Sequence, residues 1–515
     1  MAPKLTRSSH FRSVVISSNS SLSLGSRSAS SLFIRLVLVI AICGIANLQV
    51  RAQQIDTQDS AGLSCPARKA PIFRVEGIYE VGKYSDSIAV GDFNADGRLD
   101  VVVTNEEDYP STGGHVSVLM GKGNGRLRRA VQYFAGNGAA HSVAVADFNR
   151  DGKDDMVVAS LCTFDTDTAY CEAHPMMSVD GAFPDYGIQW LPWPFSVAVG
   201  DFNLDGKPDY AVVQYYGDMY SGGGAAVSVF INGGSSVFAT GGFYGYSVAV
   251  GDLNHDGKPD LVVANGCTDK SCVAHSVSVL LGNGDGTFQT PVSYISATSG
   301  GWYDRQLVLA DFNADGKLDV ATTAGVMLDN GDGTLQPEIA HAGSGALAAA
   351  DFNGDGKIDL ATTGGLLLGN GDGTFTGPTS DPIGGRALAS GDFNRDGKPD
   401  LVVNDGRRVT LLLNVTRGFR HATATSVKSF GNHAQPGELV TFTATVIPAF
   451  GREVTGLVYF SDGDILLGSA PISGRQSSFE TSSLSTGTHS IRASYGGDTK
   501  FLPSISIPLR EMIRP

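Results

Sequence analysis

The chain has 515 residues, which is enough for several domains, and its 66 glycines and many short apolar runs favour an all-β protein. It has a formal net charge of −15 and only 37 lysines and arginines. No basic stripe that could neutralise phosphates is found along the sequence, so we expect no nucleic-acid partner.

The N-terminus has the features of a secretory signal. The first 52 residues contain six basic residues and no acidic ones, and an apolar segment covers Leu36–Ala46. A cleavage site before Gln53 would leave an N-terminal tail over residues 53–69. An uncleaved membrane anchor is the alternative, but the apolar run is too short to span a bilayer comfortably. We therefore expect a secreted, periplasmic or cell-surface protein that is not embedded in a membrane.

Five cysteines remain after such a cleavage, and four of them form close pairs. Cys162 lies near Cys171 in the sequence. Cys267 lies near Cys272. In an exported chain this spacing predicts two local disulfides. Cys65 is left over, and the sequence does not determine its state.

A nine-residue pattern, D-x-N-x-D-G-x-x-D, occurs seven times between residues 92 and 400. In the first copy, Asp92, Asn94 and Asp96 supply oxygens from alternate positions, and Gly97 allows a sharp turn. Carboxylates crowded into so short a segment repel one another unless a cation is bound. Calcium takes six to eight oxygen ligands, whereas magnesium prefers to keep its waters. We therefore predict up to seven calcium sites.

The seven copies offer the same donors, with the residue at position 7 contributing its backbone carbonyl. The alternative is a set of Asp-Gly turns without metal. The predicted ligands are Asp92, Asn94, Asp96, Arg98 and Asp100; Asp147, Asn149, Asp151, Lys153 and Asp155; Asp201, Asn203, Asp205, Lys207 and Asp209; Asp252, Asn254, Asp256, Lys258 and Asp260; Asp311, Asn313, Asp315, Lys317 and Asp319; Asp351, Asn353, Asp355, Lys357 and Asp359; Asp392, Asn394, Asp396, Lys398 and Asp400.

Short Val-rich runs flank every copy, which predicts that each loop joins two buried strands. The copies begin 40 to 59 residues apart. A repeat of this length with about four short strands is typical of a propeller blade. The segment Pro71–Val81 resembles a fourth strand and is predicted to complete the last blade, which leaves no open edge.

This region resembles the FG-GAP/VCBS repeat family, which includes the integrin α-subunit propeller. The resemblance rests on the seven quoted blocks with their apolar flanks, as in SVAVGDFNLDGKPDYAVV. It implies an all-β, seven-bladed β-propeller over residues 70–416, with calcium in every loop. The family also includes lectins and polysaccharide-processing proteins, so the resemblance does not fix the function.

Residues 423–510 form a different region, in which alternating segments such as Pro436–Val446 and Thr488–Asp498 replace the acidic loops. About 90 residues of alternating strands suggest an immunoglobulin-like sandwich. The segment resembles bacterial Ig-like repeats in its TFTATV and ASYGGD motifs. That resemblance implies a spacer or adhesion module.

The acidic loops of an up-and-down propeller all lie on one face, so the other face receives the remaining long connections. Long loops after the second strand are predicted at Asn105–Gly114, Leu161–Glu172, Gln214–Gly224 and Asn265–Ala274. Aromatic residues on a rigid scaffold suit recognition. The predicted ligand-binding residues are Trp190, Trp193, Trp302 and Tyr303. The alternative is that these aromatic side chains cap blade edges.

The sequence shows no nucleophile–base arrangement. Asp165, Asp167 and Glu172 are predicted loop residues that could serve an enzyme, but nothing links them into an acid–base pair. We therefore favour an exported, calcium-binding, non-catalytic binding or adhesion protein with a glycan or an extracellular protein as its ligand. The alternatives are a polysaccharide-active hydrolase or lyase on a propeller scaffold, or a lectin.

Overall fold

The computed structural model describes residues 70–514 except for gaps at 107–112, 166–167, 179–188, 216–223, 270, 273, 297–305, 379–381, 431–433 and 452, and over 162–170 it describes the backbone alone. The predicted signal, the N-terminal tail and Cys65 lie outside these residues. The described residues form strands, turns and loops without a helix, which confirms the all-β prediction. Accordingly, the described part of the chain contains no helix long and apolar enough to cross a membrane.

Seven four-stranded antiparallel sheets follow one another along the chain. The described part starts with β1 (Phe73–Glu80). Sheet 1 contains β2 (Ile88–Gly91), β3 (Asp100–Asn105), β4 (His115–Leu119) and β5 (Val131–Phe134). Sheet 2 contains β6 (Ala139–Ala146), β7 (Asp155–Asp165), β8 (Thr168–Met176) and β9 (Gln189–Trp190). Sheet 3 contains β10 (Pro194–Gly200), β11 (Asp209–Tyr215), β12 (Ala225–Ile231) and β13 (Gly234–Ala239).

The next three sheets repeat this order, and the seventh takes β1, the first strand of the described part, as its fourth strand. Sheet 4 contains β14 (Phe243–Gly251), β15 (Asp260–Cys267), β16 (His275–Leu280) and β17 (Val292–Ser296). Sheet 5 contains β18 (Leu307–Ala310), β19 (Asp319–Thr322), β20 (Gly325–Met327) and β21 (Ile339–Ala340). Sheet 6 contains β22 (Leu347–Ala350), β23 (Asp359–Thr362), β24 (Gly365–Gly369) and β25 (Phe375–Thr376). Sheet 7 contains β26 (Ala387–Gly391), β27 (Asp400–Asn404), β28 (Arg408–Asn414) and β1.

Strand β1 is antiparallel to β28, with Phe73 opposite Asn414 and Glu80 opposite Arg408. This is the pairing that the sequence predicts for the segment Pro71–Val81. The outer edge of β28 is covered as a result, so its backbone groups are not exposed to another strand.

Neighbouring sheets share their hydrophobic cores. Val101 and Val103 of sheet 1 pack with Val402 and Leu411 of sheet 7. Among the described residues, each other neighbouring pair of sheets shares one such cluster. The first strand of every sheet also contacts the first strand of the next, and β2 contacts β26. Sheets that share cores in this cyclic order are the blades of a β-propeller.

The C-terminal region is a separate sandwich of two sheets. One sheet contains β29 (Thr423–Phe430), β30 (Val440–Pro448) and β33 (Gln476–Thr481). The other contains β31 (Leu457–Asp462), β32 (Ile465–Pro471), β34 (Gly487–Tyr495), β35 (Ser504–Ile505) and β36 (Leu509–Ile513). Alternate residues of β30 and β34 point into one core that includes Phe442, Ile491 and Tyr495. The alternation in the sequence therefore predicts the buried faces correctly.

One predicted loop is wrong. The sequence predicts a long loop over Leu161–Glu172, but β7 continues to Asp165 and β8 begins at Thr168. A register shift after Ser160 lets the two strands keep pairing as far as Asp165, which lies opposite Thr168. The segment is rich in threonine and aromatic residues, which favour extended backbone over an irregular loop.

His489 forms a buried polar contact within the sandwich. Its Nδ1 lies 2.6 Å from Asp462 Oδ2, and its Nε2 lies 2.7 Å from the carbonyl oxygen of Ser485. Burial lowers the pKa of His489, but the hydrogen bonds to Asp462 and Ser485 outweigh that effect and leave the pKa raised. A histidine with a raised pKa stabilises the fold below its unfolded pKa of about 6.5 and loses this contribution as the pH rises through its folded pKa.

We expect His489→Asn to lower the free energy of unfolding by about 1 kcal/mol more near pH 5.5 than near pH 8.5, because only the charged imidazole gains from Asp462. Chemical denaturation of the full chain at both pH values measures this difference. His255→Asn, at an exposed position outside the sandwich, is the control. Equal destabilisation at the two pH values would contradict the assignment.

Candidate functional site

Each of the seven acidic segments connects the first and second strands of its sheet. We call them loops 1 to 7, which start at Asp92, Asp147, Asp201, Asp252, Asp311, Asp351 and Asp392. The fourth and sixth residues of every loop have a positive φ. The sixth is always glycine, which adopts this conformation easily, but the fourth is glycine only in loop 6. Six loops therefore hold a strained residue that the surrounding loop must restrain.

The restraint comes from side-chain oxygens that accept backbone hydrogen bonds within the loop. In loop 1, the N–H of Asp96 lies 3.0 Å from both Asp92 Oδ1 and Asn94 Oδ1. The N–H of Gly97 donates to Asp92 Oδ2, and the N–H of Arg98 donates to Asp96 Oδ1. The same four hydrogen bonds occur in all seven loops.

The ninth residue is a buried aspartate that ties the loop to the rest of its sheet. Asp100 Oδ2 accepts the N–H of Phe93 at 3.0 Å, and Asp100 Oδ1 accepts the N–H of Gly121 at 2.6 Å. The bond to the second loop residue occurs in all seven loops. The bond to the end of the third strand occurs in loops 1, 2 and 4 to 7. We call this residue the closing aspartate.

Burial raises the pKa of every closing aspartate. The pKa rises to about 6 for Asp100 and to about 8 for Asp359. Backbone hydrogen bonds oppose the rise, whereas the carboxylates of Asp92 and Asp96 add to it at Asp100. The acidic groups of a loop therefore repel one another, and a divalent cation would remove that repulsion.

The donor set of each loop suits calcium, because it consists of carboxylate, amide and carbonyl oxygens. The oxygens at positions 1, 3 and 5 surround the same backbone turn. The three carboxylates of one loop do not all lie within 4.8 Å of one another among the described residues. We attribute this to the closing aspartate, whose oxygens are turned toward backbone N–H groups. The structure therefore directs the side chains at positions 1, 3 and 5 around one turn, and calcium ligation by all five positions stays a prediction.

The second residue of each loop joins neighbouring sheets. Its side chain is Phe or Leu in every loop, and Phe93, for example, is fully buried. The carbonyl oxygen of Phe93 accepts a hydrogen bond from Ser178 Oγ of sheet 2. The carbonyl of Phe393 in loop 7 accepts the N–H of Gly125 in sheet 1. A change in loop conformation would therefore also alter the contact between two neighbouring sheets.

Loops 6 and 7 differ from the others because residues beyond the last blade cover them. A side chain in place of Gly354, the fourth residue of loop 6, would meet Phe419 at 2.8 Å. His421 Nδ1 lies 3.1 Å from the carbonyl oxygen of Gly397 in loop 7. Burial raises the pKa of Asp351, the first residue of loop 6, to about 6. These two loops are thus the most shielded from water.

The opposite face carries Trp190 and Trp193, the two predicted ligand-binding residues that the structure describes. Trp190 ends β9 and is 58% exposed, and Trp193 follows at the connection to β10 with a φ of 45°. The carbonyl of Trp193 accepts the N–H of Tyr215, the last residue of β11. Trp302 and Tyr303 lie outside the described residues. The predicted ligand face is therefore described only in part.

The disulfide between Cys267 and Cys272 is present, as predicted, in the connection between β15 and β16. Cys171 is also disulfide-bonded. The side chain of Cys162 lies outside the described side chains, so its pairing with Cys171 stays a prediction. The predicted loop at Asn265–Ala274 is shorter than expected, because β15 extends to Cys267.

Glu172 is not a loop residue, contrary to the prediction. It lies on β8, is fully buried, and its Oε1 accepts the N–H of Asn137 at 2.5 Å. Any side chain at Gly136 would collide with it. Glu172 therefore has a structural role, since its buried carboxylate accepts a backbone hydrogen bond from the connection between sheets 1 and 2. Asp165 and Asp167 lie outside the described side chains.

Sequence reasoning missed one group of titratable residues. Asp86, Glu106 and His141 lie on the face opposite the loops, with ligand-type atoms all within 4.8 Å of one another. Each residue comes from a different segment, so no local motif marks the group. The signal that could have found them is their position relative to the loops, since Asp86 and His141 each lie six residues before the first aspartate of loops 1 and 2.

Fold and loops together define a protein built of four-stranded blades that each contribute one acidic loop. Models of FG-GAP-like repeats match residues 92–158, 266–322 and 351–403, and an FG-GAP repeat model matches residues 244–280. A model of the bacterial Ig-like domain, group 3, matches residues 427–512. These matches identify FG-GAP repeats in the chain and a bacterial Ig-like domain at residues 427–512.

The solved structures that are similar to the chain include the following two. The extracellular domain of BT4673 from B. thetaiotaomicron is 12% identical, with a TM-score of 0.40, over 87% of this chain and 58% of that one. The V. cholerae biofilm matrix protein Bap1 is 16% identical, with a TM-score of 0.30, over 64% of this chain and 62% of that one. The chain spans less than two thirds of the length of either structure.

We expect Asp260→Asn to lower the free energy of unfolding in calcium-free buffer by about 1–3 kcal/mol. The two carboxylate oxygens of Asp260 accept the N–H groups of Leu253 and Gly282, whereas the asparagine amide has one acceptor oxygen and leaves one N–H group without a partner. Thermal or urea unfolding measures the loss. Asp285→Asn is the matched control, since Asp285 is exposed and uses a single oxygen for Thr287. A wild-type stability for the Asp260 variant would show that the closing aspartate does not hold the loop.

Proposed function

We propose that the protein is an exported, calcium-stabilised, non-catalytic binding protein. In this proposal the acidic loops hold the blades, and the opposite face meets a glycan or an extracellular protein. The identical hydrogen-bond pattern of the seven loops is the main support, because it presents oxygens from positions 1, 3 and 5 in every copy. Export is supported by the basic and apolar N-terminal segment and by the disulfide.

Calcium would act on stability rather than on the ligand. Each loop joins two neighbouring sheets through its second residue, so a cation that fixes the loop also fixes the contact between blades. Binding to the folded state alone stabilises it by about 2.7 kcal/mol per site when free calcium is 100 times the dissociation constant. If several loops are filled, the free energy of unfolding of the calcium-loaded protein would be much larger than that of the calcium-free protein.

We expect removal of calcium with EDTA to lower the melting temperature well beyond experimental error, and calcium to restore it. Asp151→Asn should leave the calcium-free melting temperature close to that of the wild type, because the retained Oδ1 still accepts the N–H of Lys153. It should bind about one calcium ion fewer by calorimetry, since a ligand charge is lost. Asp285→Asn removes a carboxylate outside the loops and should retain the full count. An EDTA-insensitive melt in a verified metal-free sample would refute calcium's role.

The ligand face is proposed from its exposed aromatic residues. Trp190 is 58% exposed and Tyr84 is 46% exposed, and both lie where strands end on the face away from the acidic loops. On the same face, a disulfide closes the connection between β15 and β16. Exposed rings on a rigid scaffold stack against sugars and also serve as anchors in protein interfaces.

We expect Trp190→Ala to weaken binding at least 10-fold for any glycan that the calcium-loaded protein captures on an array, because the substitution removes a large exposed aromatic ring on which a sugar could stack. Val237→Ala, which shortens an exposed side chain in the middle of β13, is the control. A glycan bound equally well by both variants would place the ligand elsewhere. Release of reducing ends or unsaturated sugars from a polysaccharide would instead favour the hydrolase or lyase alternative.

A further inference from the structure

The ends of the first strands form a continuous arc on the face opposite the loops. The arc consists of five residues, each of which contacts the next: Arg386, Asp86, His141, Phe195 and Tyr246. Each of them lies six positions before the first aspartate of the loop in its own sheet. Serines next to them fix the register between sheets. The N–H of Val143 donates to Ser87 Oγ, and the N–H of Val197 donates to Ser142 Oγ.

Asp86 lies between two partners and uses a different oxygen for each. Its Oδ1 accepts a hydrogen bond from Arg386 Nη1 at 2.8 Å, while its Oδ2 lies 3.6 Å from His141 Nδ1. The arginine therefore holds the carboxylate in place and leaves the second oxygen directed at the imidazole.

Glu106 completes the group from the end of β3. Its Oε1 lies 4.0 Å from His141 Nδ1, and its N–H is held by the carbonyl of Lys83 at 3.1 Å. The three side chains are all half-buried. The Nδ1 atom of His141 is buried from solvent and makes no hydrogen bond within the described residues. This imidazole nitrogen thus faces two carboxylate oxygens at distances too long for hydrogen bonding.

We infer that Asp86, Glu106 and His141 form a binding site for one divalent first-row transition metal ion. Imidazole and two carboxylates converge from three segments, and their ligand atoms lie within 4.8 Å of one another, as they would around a shared ion. The imidazole distinguishes this site from the acidic loops, because nitrogen ligands favour zinc and its neighbours over calcium. Arg386 acts as a positioning residue that orients one ligand from outside the coordination sphere.

The aromatic residues of the arc give the site one apolar side. The ring of Phe195 lies 6.2 Å from the ring of His141, and Tyr246 lies 5.3 Å from Phe195. Three protein ligands leave at least one coordination position for water or another ligand.

Zinc and cobalt binding test the site directly. Calorimetry with Zn²⁺ is performed on the full chain in excess calcium, with Cys43 and Cys65 changed to serine to remove competing thiols. We expect one zinc equivalent, and with Co²⁺ a visible absorption band that reports the ligands. Both should weaken at least 10-fold in His141→Asn and in Glu106→Gln.

The control is His275→Asn, which removes an imidazole from the same face that is already bonded to the carbonyl of Gly266. It should bind zinc as the parent does. The melting temperature of every variant in calcium is first compared with that of the parent, so that misfolded variants are recognised. If His141→Asn is misfolded, the site is tested with Glu106→Gln. No zinc equivalent in the parent, or equal binding by all variants, would overturn the site without affecting the calcium proposal.

Discussion

The structure depends on the hydrogen bonds between loop carboxylates and backbone N–H groups. A closing aspartate such as Asp100 joins the start of its loop to the end of the third strand, so one side chain connects three parts of a sheet. The second loop residue then joins that sheet to its neighbour. Because a buried carboxylate is costly unless it is fully hydrogen-bonded, any shift of the loop leaves both the aspartate and the N–H groups unsatisfied.

The same arrangement explains why the loops vary so little. A left-handed residue at position 4, such as Leu204 with a φ of 56°, is tolerated only because the surrounding oxygens restrain the turn. Loop 6 has glycine there, and Phe419 packs directly over it. A cation in that loop would be held against residues that lead into the Ig-like sandwich, so the two domains meet at the most buried loop.

Local signals in the sequence predict most of this fold. The repeated loops mark the first turn of each sheet, and the segment Pro71–Val81 predicts the strand that completes sheet 7. The hairpin over β7 and β8 was not predicted, because its pairing depends on a register shift that no local signal shows. Likewise, the pairing of Asp86 with Arg386 joins residues 300 positions apart, and only closure of the ring brings them together.

The two faces therefore differ in chemistry as well as in shape. The loop face offers oxygen donors within single continuous segments, so each proposed calcium site can form as its own hairpin folds. The group at Asp86, Glu106 and His141 draws on the first and second sheets, and Asp86 is oriented by Arg386 only when the seventh sheet is also in place. The affinity for a metal at this group would therefore depend on whether sheets 7, 1 and 2 are assembled, whereas calcium in the loops would stabilise the contacts between sheets. Zinc affinity in a variant that loosens the contact between sheets 1 and 7 would consequently fall even though every zinc ligand is retained.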